Sequence, residues 1–443
     1  MASHEYGYIR GTTMQSPCLR FLLVVNVLAL FFNTTLYHVA RRPTLLLTWP
    51  TVPLPEFRGS DERPLMIVRA LATRGWTVDF LAAHNTLFGR ERIVGRRHAS
   101  RLYAAGVRRI RRPIRMQTTQ SLRRMISSYN WVWLSDWEDL LETSVQLVRF
   151  IVETHLPTKI AFHQEDPGVA LRALSVSHPT ASFERLQSLH EGVLTNASHP
   201  LHRLATLERE LQRRANLHVA ITRPCFEVAT SAPGARVLLP YGASPPVDGT
   251  RRRRGHHAVF ISSGTPSIAR WFERLVRHSV DEGQGIMVVA GNVQKLLPGL
   301  CRCRVADPRD GSYRCRALTL RVMCAGFLPR EEQVDALLGS ARVLVNALPD
   351  MVGVSTKSVR ALGLGTPVLT TPRDGTFERA HPFGCGVHVC GVGDWRCFRA
   401  RMRYFLSAHP DHMERETSCA LDRAKVFRVD DPMAATIARM SRP

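Results

Sequence analysis

The sequence predicts an α/β chain of two Rossmann-like domains, each a doubly wound parallel sheet, and three observations carry that prediction. From Thr44 onward, short apolar runs alternate with segments whose apolar residues recur at helical spacing. The alternation breaks at a Pro-, Gly- and Arg-rich stretch, Pro245 to Gly255, and restarts at Ala258. Finally, Gly326 to Thr376 holds a complete helix, strand, loop, helix and strand unit. A chain of 443 residues exceeds one ordinary core, and two domains of about 200 residues are the default. The division expected is 1–42 for an N-terminal segment, 43–248 and 249–415 for the two domains, and 416–443 for a helical tail that packs back on the first.

The N-terminal segment carries an apolar block, Phe21 to Phe32, preceded by Arg20. The block alone is signal-peptide sized; extended to Ala40 it reaches about 20 residues, the length of one bilayer crossing. Arg41-Arg42 on its far side does not favour a lumenal C-terminus. A signal peptide or signal-anchor predicts a single-pass membrane protein of the secretory pathway, in Golgi or ER; a cytoplasmic, membrane-associated protein is the alternative. Asn33-Thr34-Thr35 and Asn196-Ala197-Ser198 are glycosylation sequons, the second better placed in a polar stretch.

The first domain opens with a strand at Thr44 to Thr48, a Pro/Gly loop ending in Arg58-Gly59-Ser60, a helix through Leu65, Val68 and Leu71, and a strand at Thr77 to Leu81. Its loop has Gly59 but no G-x-G-x-x-G, which disfavours a dinucleotide cofactor. Between Arg90 and Arg124 lie 12 arginines interleaved with apolar residues. Such a basic amphipathic stretch suits an anionic membrane surface or a phosphorylated acceptor, and equally the solvated face of ordinary helices. Tyr103 is the one aromatic in its middle, so a base-stacking groove, and with it nucleic acid as partner, is disfavoured. Further strands fall at Trp131 to Leu134 and Lys159 to Phe162, the latter ending in His163-Gln164-Glu165-Asp166. Polar residues at C-terminal strand ends sit where open α/β sheets bind ligands. His163 and Asp166 are therefore candidates for handling an acceptor, against the plain reading of His163 as a satisfied structural histidine.

The second domain runs through strands Ala258 to Ile261 and Ile286 to Ala290, a polar insertion from Lys295 to Cys315, and the Gly326 to Thr376 unit. There the strand Val343 to Val345 leads through a turn-prone loop, Pro349 to Val354, to Ser355-Thr356, good N-cap residues for a helix that Gly363 and Gly365 end. A strand feeding a glycine-containing loop and a helix N-terminus presents free backbone N–H groups and a positive dipole end. Lys357 in the first turn adds a cation. Gly353 to Lys357 is thus a candidate phosphate or diphosphate site, against the plain reading of a turn glycine and a solvated lysine.

The formal charge is +23. A field of this size favours anionic partners and says nothing about fold. Nine of the ten cysteines lie between Cys225 and Cys419. None has the paired spacing of a zinc ribbon, so no metal site is expected; in an oxidising lumen some form disulfides of unreadable connectivity.

Three stretches carry a resemblance: Phe260-Ile261-Ser262-Ser263-Gly264, Val288-Val289-Ala290-Gly291, and Gly326-Phe327 through Gly353-Val354-Ser355-Thr356-Lys357 to Gly365-Thr366-Pro367-Val368. They resemble GT-B glycosyltransferases, in particular the retaining, family 4-like group with the "glycosyl transferases group 1" C-terminal domain. The resemblance implies two domains facing across a cleft, a nucleotide-diphosphate-sugar donor held largely by the second, and a glycan, lipid or protein acceptor. It implies that Gly264, Gly353, Val354, Ser355, Thr356 and Lys357 face the diphosphate while Gly59 approaches from the first domain. Neither cofactor nor metal is implied, since helix-terminal N–H groups and cations stabilise the departing diphosphate. The family's E-x7-E pair falls on Val352 and Arg360, so both carboxylates are missing; Asp350 lies close enough to replace the first, and Arg360 is placed to pair with a phosphate. That departure keeps a second reading open, a nucleotide-sugar-binding protein of weakened or lost catalysis. A non-hydrolysing sugar-nucleotide epimerase is a third.

Overall fold

The computed structural model describes residues 42–49, 59–82, 92–111, 118–135, 138–164, 169–178, 183–221, 234–239, 255–262, 266–280, 286–307, 312–328, 331–346, 355–372, 384–427 and 430–441. The first sheet is formed by β1 (Thr44–Trp49), β2 (Thr77–Ala82), β3 (Val107–Arg111), β4 (Trp131–Ser135), β5 (Lys159–Gln164), β6 (Leu217–Ala220) and β7 (Ala235–Leu238). Between them run α1 (Gly59–Ala72), α2 (Arg92–Ala105), α3 (Thr119–Ile126), α4 (Glu138–Glu153), α5 (Val169–Ser177), α6 (Phe183–Thr195) and α7 (His202–Arg214). Every pairing is parallel, in the order β3-β2-β1-β4-β5-β6-β7.

The continuous apolar run of β1 has a simple cause. Side chains of a strand alternate between faces, and both faces of this sheet are covered. Leu45, Leu47 and Trp49 enter a core with α1 and α2, whereas Leu46 enters the opposite core with Val132, Leu134 and α4.

The second sheet repeats the plan with β8 (His257–Ile261), β9 (Ile286–Ala290), β12 (Val322–Cys324), β13 (Val343–Asn346), β14 (Val368–Thr370) and β15 (Val387–Val389), all parallel in the order β12-β9-β8-β13-β14-β15. Its helices are α8 (Pro266–Ser279), α9 (Glu331–Ser340), α10 (Thr356–Gly363), α11 (Trp395–Ser407) and α12 (Pro410–Ala424). Ala258 and Phe260 face α8 and α11, and Val259 faces α9, α10 and α12. Each sheet therefore reverses its winding once, at β1/β4 and at β8/β13, and these switch points are where open α/β sheets bind ligands. The insertion before β12 is an antiparallel ribbon of β10 (Cys301–Asp307) and β11 (Ser312–Ala317).

The final helix, α13 (Asp430–Met440), returns to the first sheet. Met433, Ile437 and Met440 join the core of β1, and Trp131 Nε1–H donates to the Met440 carbonyl at 3.0 Å. The 415/416 division falls inside α12, whose Ala420 and Ala424 pack on the second sheet. A smaller contact joins the sheets where Ile221, just past β6, meets Val359 of α10 with Phe427 against both.

Among the described residues the arginine-rich run is not one continuous element. It splits into α2, the edge strand β3 and α3. Arg108 and Arg111 of β3 turn onto buried Asp79 of β2, at 2.9 and 2.8 Å, and Tyr129 donates to the same carboxylate at 2.6 Å.

Eight of the ten cysteines pair. Cys301–Cys324 fastens β10 to β12, Cys303–Cys315 crosses the ribbon, and Cys385–Cys419 and Cys390–Cys397 tie the two ends of β15 to α12 and α11. Cys18 and Cys225 lie outside the described residues, as does the apolar block 21–40. Among the described residues no helix is long and apolar enough to cross a membrane.

Candidate functional site

At the switch point of the second sheet, β13 ends and α10 begins. Ser355 caps the helix, its hydroxyl accepting from the Ser358 N–H at 3.2 Å. Buried Asn346, last residue of β13, donates from Nδ2 to Ser358 Oγ at 2.9 Å, and Thr370 of β14 donates to the Asn346 carbonyl at 3.1 Å. The helix start is thus bolted to two strands. At its other end Gly365, with φ +74°, lets its own N–H and that of Thr366 close on Leu362 and Ala361, a Schellman stop. Short and fixed at both ends, α10 starts at the C-terminal edge of the sheet.

Neighbouring strand ends are held equally tightly. Gly291, after β9, has φ +88°, and a Cβ there would lie 2.4 Å from the Ser262 carbonyl at the end of β8. Only glycine permits both that backbone and that approach. Gln294 then donates to the Gly326 carbonyl and accepts from the Gly326 N–H, at 2.8 and 3.0 Å, locking the ends of β9 and β12 together.

Lys357 sits in the first turn of α10. Burial pushes its ammonium down to about 8. No carboxylate among the described residues pairs with it. A cation partly stripped of water beside the positive end of a helix is doubly unfavourable, and an anion bound there would relieve both costs. Arg360, one turn on, is engaged differently: its Nε donates to Asp335 of α9, an ion pair with both side chains largely covered. Gly59 begins α1, and α1 approaches α10 from the first domain. Gly264, Asp350, Gly353, Val354 and Asp166 lie outside the described residues.

His163 ends up buried rather than presented. It is 0% exposed, its ring 5.9 Å from that of Trp49 and 5.7 Å from that of Trp133. Arg63 Nη2 lies 3.4 Å from its Nε2 and donates to the Leu239 carbonyl at 2.6 Å. A guanidinium can only donate, so Nε2 accepts and the proton sits on Nδ1. Burial, then the charge of Arg63, hold His163 neutral, far below the ordinary histidine range. A side chain with no exposed surface touches no substrate in this conformation; what His163 does here is receive Arg63. That arginine, 0% exposed in the first turns of α1, joins α1 to β5 and to the end of β7, and the sequence reading missed it.

His218, on β6, is the second buried histidine, with Nε2 2.9 Å from Gln164 Oε1. Burial, then Arg236, push it down to about 4. Because the folded-state value lies below the unfolded one, near 6.5, this stability is present above pH about 6.5 and is lost as pH falls toward 4. For His218 alone the loss is about 3 kcal/mol, and His163 adds to it in the same direction. Urea midpoints measured from pH 7.5 to 4.5 should fall steadily below pH 6.5; a flat profile would show that these rings charge freely in the fold.

No family model matches the chain, and no curated protein matches its sequence. Solved structures do match. Anabaena Alr3699/HepE, in complex with UDP and glucose, superposes with TM-score 0.57 at 13% identity over 90% of this chain and 100% of that one. A UDP-forming α,α-trehalose-phosphate synthase from Burkholderia xenovorans gives 0.55 at 11% identity, over 90% and 99%. A glycosyltransferase from Rickettsia africae gives 0.54 at 9% identity, over 90% and 98%. At such identities the likeness establishes architecture: the chain has the GT-B fold, matched over 90% of its length.

Proposed function

We propose that this chain transfers a sugar from a nucleotide-diphosphate donor to an acceptor, without a metal, and that the N-terminus of α10 with Lys357 holds the leaving diphosphate. The observation that carries this reading is the partly buried Lys357 ammonium, without a carboxylate partner among the described residues, at a capped helix start on the second sheet's switch point. The fold agrees with it, as the HepE structure holds UDP and glucose. In this reading Ser355 and Thr356 supply N–H groups and Gly353, Val354 and Gly264 let the diphosphate approach. Asp350 meets the donor, and Gly59 closes from the first domain. Asp166, two residues past β5 in the sequence, works on the acceptor side together with His163. A retaining outcome rests on the family resemblance.

The four disulfides support a secretory location, because such bonds persist in oxidising compartments. A signal-anchor at 21–40 and contact of the Arg90 to Arg124 region with an anionic membrane belong to the same reading, although Arg108 and Arg111 are already engaged by Asp79.

UDP supplies the test. A ligand bound only by the folded chain at a hundredfold its Kd adds about 2.7 kcal/mol of apparent stability, so UDP should raise the melting temperature and Lys357→Ala should abolish the rise. No rise with UDP or any other nucleoside diphosphate would remove the site. One observation favours the second reading, nucleotide-sugar binding without turnover: Arg360 stands where the family carries a carboxylate and is bound to Asp335. Stabilisation by UDP-sugars with neither hydrolysis nor transfer would select it.

A further inference from the structure

The β10–β11 ribbon has two chemically opposite faces. Cys301, Cys303 and Cys315 turn inward against the core of the second domain. Arg302, Arg304, Arg314 and Arg316 alternate with them and are all exposed. In the register Arg302 stands directly opposite Arg316, and Arg304 directly opposite Arg314. Like charges directly across an antiparallel pair repel, and a two-stranded ribbon is marginal by itself. Here two such pairs follow one another, and the Cys303–Cys315 bridge between them and the Cys301–Cys324 bridge beside them hold the strands together. None of the four guanidinium groups pairs with a carboxylate among the described residues. The acids of this segment, Asp307 and Asp310, come between Arg304 and Arg314 in the sequence, and Asp310 lies outside the described residues.

We propose that this four-arginine face binds an anionic polysaccharide through its sulfate or carboxylate groups. Cross-strand neighbours lie about 5 Å apart and successive outward residues about 7 Å apart. The result is a rigid grid of planar donor forks, the chemistry that recognises sulfate and carboxylate in bidentate fashion. Three other polyanions fit less well. The disulfides that hold the ribbon persist in oxidising compartments, whereas the anionic bilayer leaflet faces the cytoplasm. Nucleic acid belongs to the same reducing side, and a single-strand groove would interleave aromatic stacking platforms with the cations; the four outward positions hold arginine alone. An acidic protein offers no repeat of charge to match the grid.

The face is separate from the candidate diphosphate site. It hangs off β12, the sheet edge three strand spacings from β13, roughly 15 Å at the spacing of a sheet. The inference therefore stands whether or not the transfer reading holds.

The test uses the full-length chain and three immobilised polysaccharides, heparin, polygalacturonate and neutral dextran, at physiological salt. Vesicles containing phosphatidylserine and a DNA oligonucleotide serve as competitors. The expected result is retention on one or both acidic polymers and none on dextran. Replacing Arg302, Arg304, Arg314 and Arg316 together by serine should weaken retention at least tenfold. A control that removes the same charge from exposed Arg213, Arg274, Arg277 and Arg401 should weaken it less than threefold. Intact circular dichroism and absence of free thiol, beyond that of the parent chain, show that the ribbon variant has folded and kept its bridges. Equal loss in both variants would mean that net charge alone binds and would overturn the proposal. So would an absence of retention, or more effective competition by vesicles or DNA than by soluble heparin.

Discussion

Lys357→Ala is expected to lower kcat by about 10²–10³-fold, the usual cost of removing one group that stabilises a developing anion in a water-poor site, with the fold intact. The fold survives because no hydrogen bond of the α10 anchor involves the lysine: Ser355, Ser358, Asn346 and Thr370 make those. Burial brings the ammonium down to about 8. The charged form, which catalysis needs, is therefore complete below pH 7 and disappears as pH rises through 8. kcat/KM, which reports the free enzyme, should carry a falling limb near that value. Lys357→Arg keeps the cation at every accessible pH and should move the limb upward while recovering only part of the rate, since a planar fork does not replace a compact ammonium. Unchanged turnover in the alanine variant, or an alkaline limb unmoved by arginine, would take Lys357 out of the mechanism.

How much of this was legible beforehand follows from what each signal depends on. The apolar runs of β1, β4, β8 and β13 were legible because a parallel strand buried on both faces shows no alternation and little else looks like it. The cap at Ser355 and the stop at Gly365 were legible because both depend on local backbone chemistry. β3 was not, since Arg108, Arg109 and Arg111 disguise it, and Asp79, the partner of Arg108 and Arg111, lies 29 and 32 residues away from them in sequence. The ribbon was read as a polar insertion for the same reason: its inward cysteines make sense only beside Cys324 and the second core. Arg63 carried no contrast in a chain with 60 lysines and arginines. Its role rests on Leu239 and His163, residues 176 and 100 positions away. His163 was placed correctly at a strand end but its depth was not, because sequence position along a strand does not say what covers the edge.

Glu416→Ala should be the most destabilising single change in the second domain away from its apolar core. The carboxylate accepts the Gly386 N–H at 2.6 Å, His388 Nε2 at 3.1 Å and the Tyr404 hydroxyl at 3.2 Å. Gly386, at φ +80°, is pressed so close to α12 that a Cβ would lie 2.7 Å from the Ala420 nitrogen, so its N–H has no route to water. Removing the acceptor strands a buried donor and a buried ring together, the situation that costs about 3–5 kcal/mol when one partner of a covered pair is deleted. Asp79→Ala in the first domain is the informative comparison. Asp79 receives just as many bonds, but its arginines keep 43% and 27% of their side-chain surface and can return to water. Its loss should cost distinctly less. The two acids also differ from the histidines in pH window. Burial would raise Glu416, yet the bonds from His388 and Gly386 bring it below the ordinary carboxylate value. Its contribution is therefore present above pH about 4.5 and fades only as pH falls through the lower folded value, after buried His218 has already begun to charge. Calorimetry of the two alanine variants at pH 7 decides the ranking: an Asp79→Ala domain that melts as early as Glu416→Ala would show that partner burial does not set the cost.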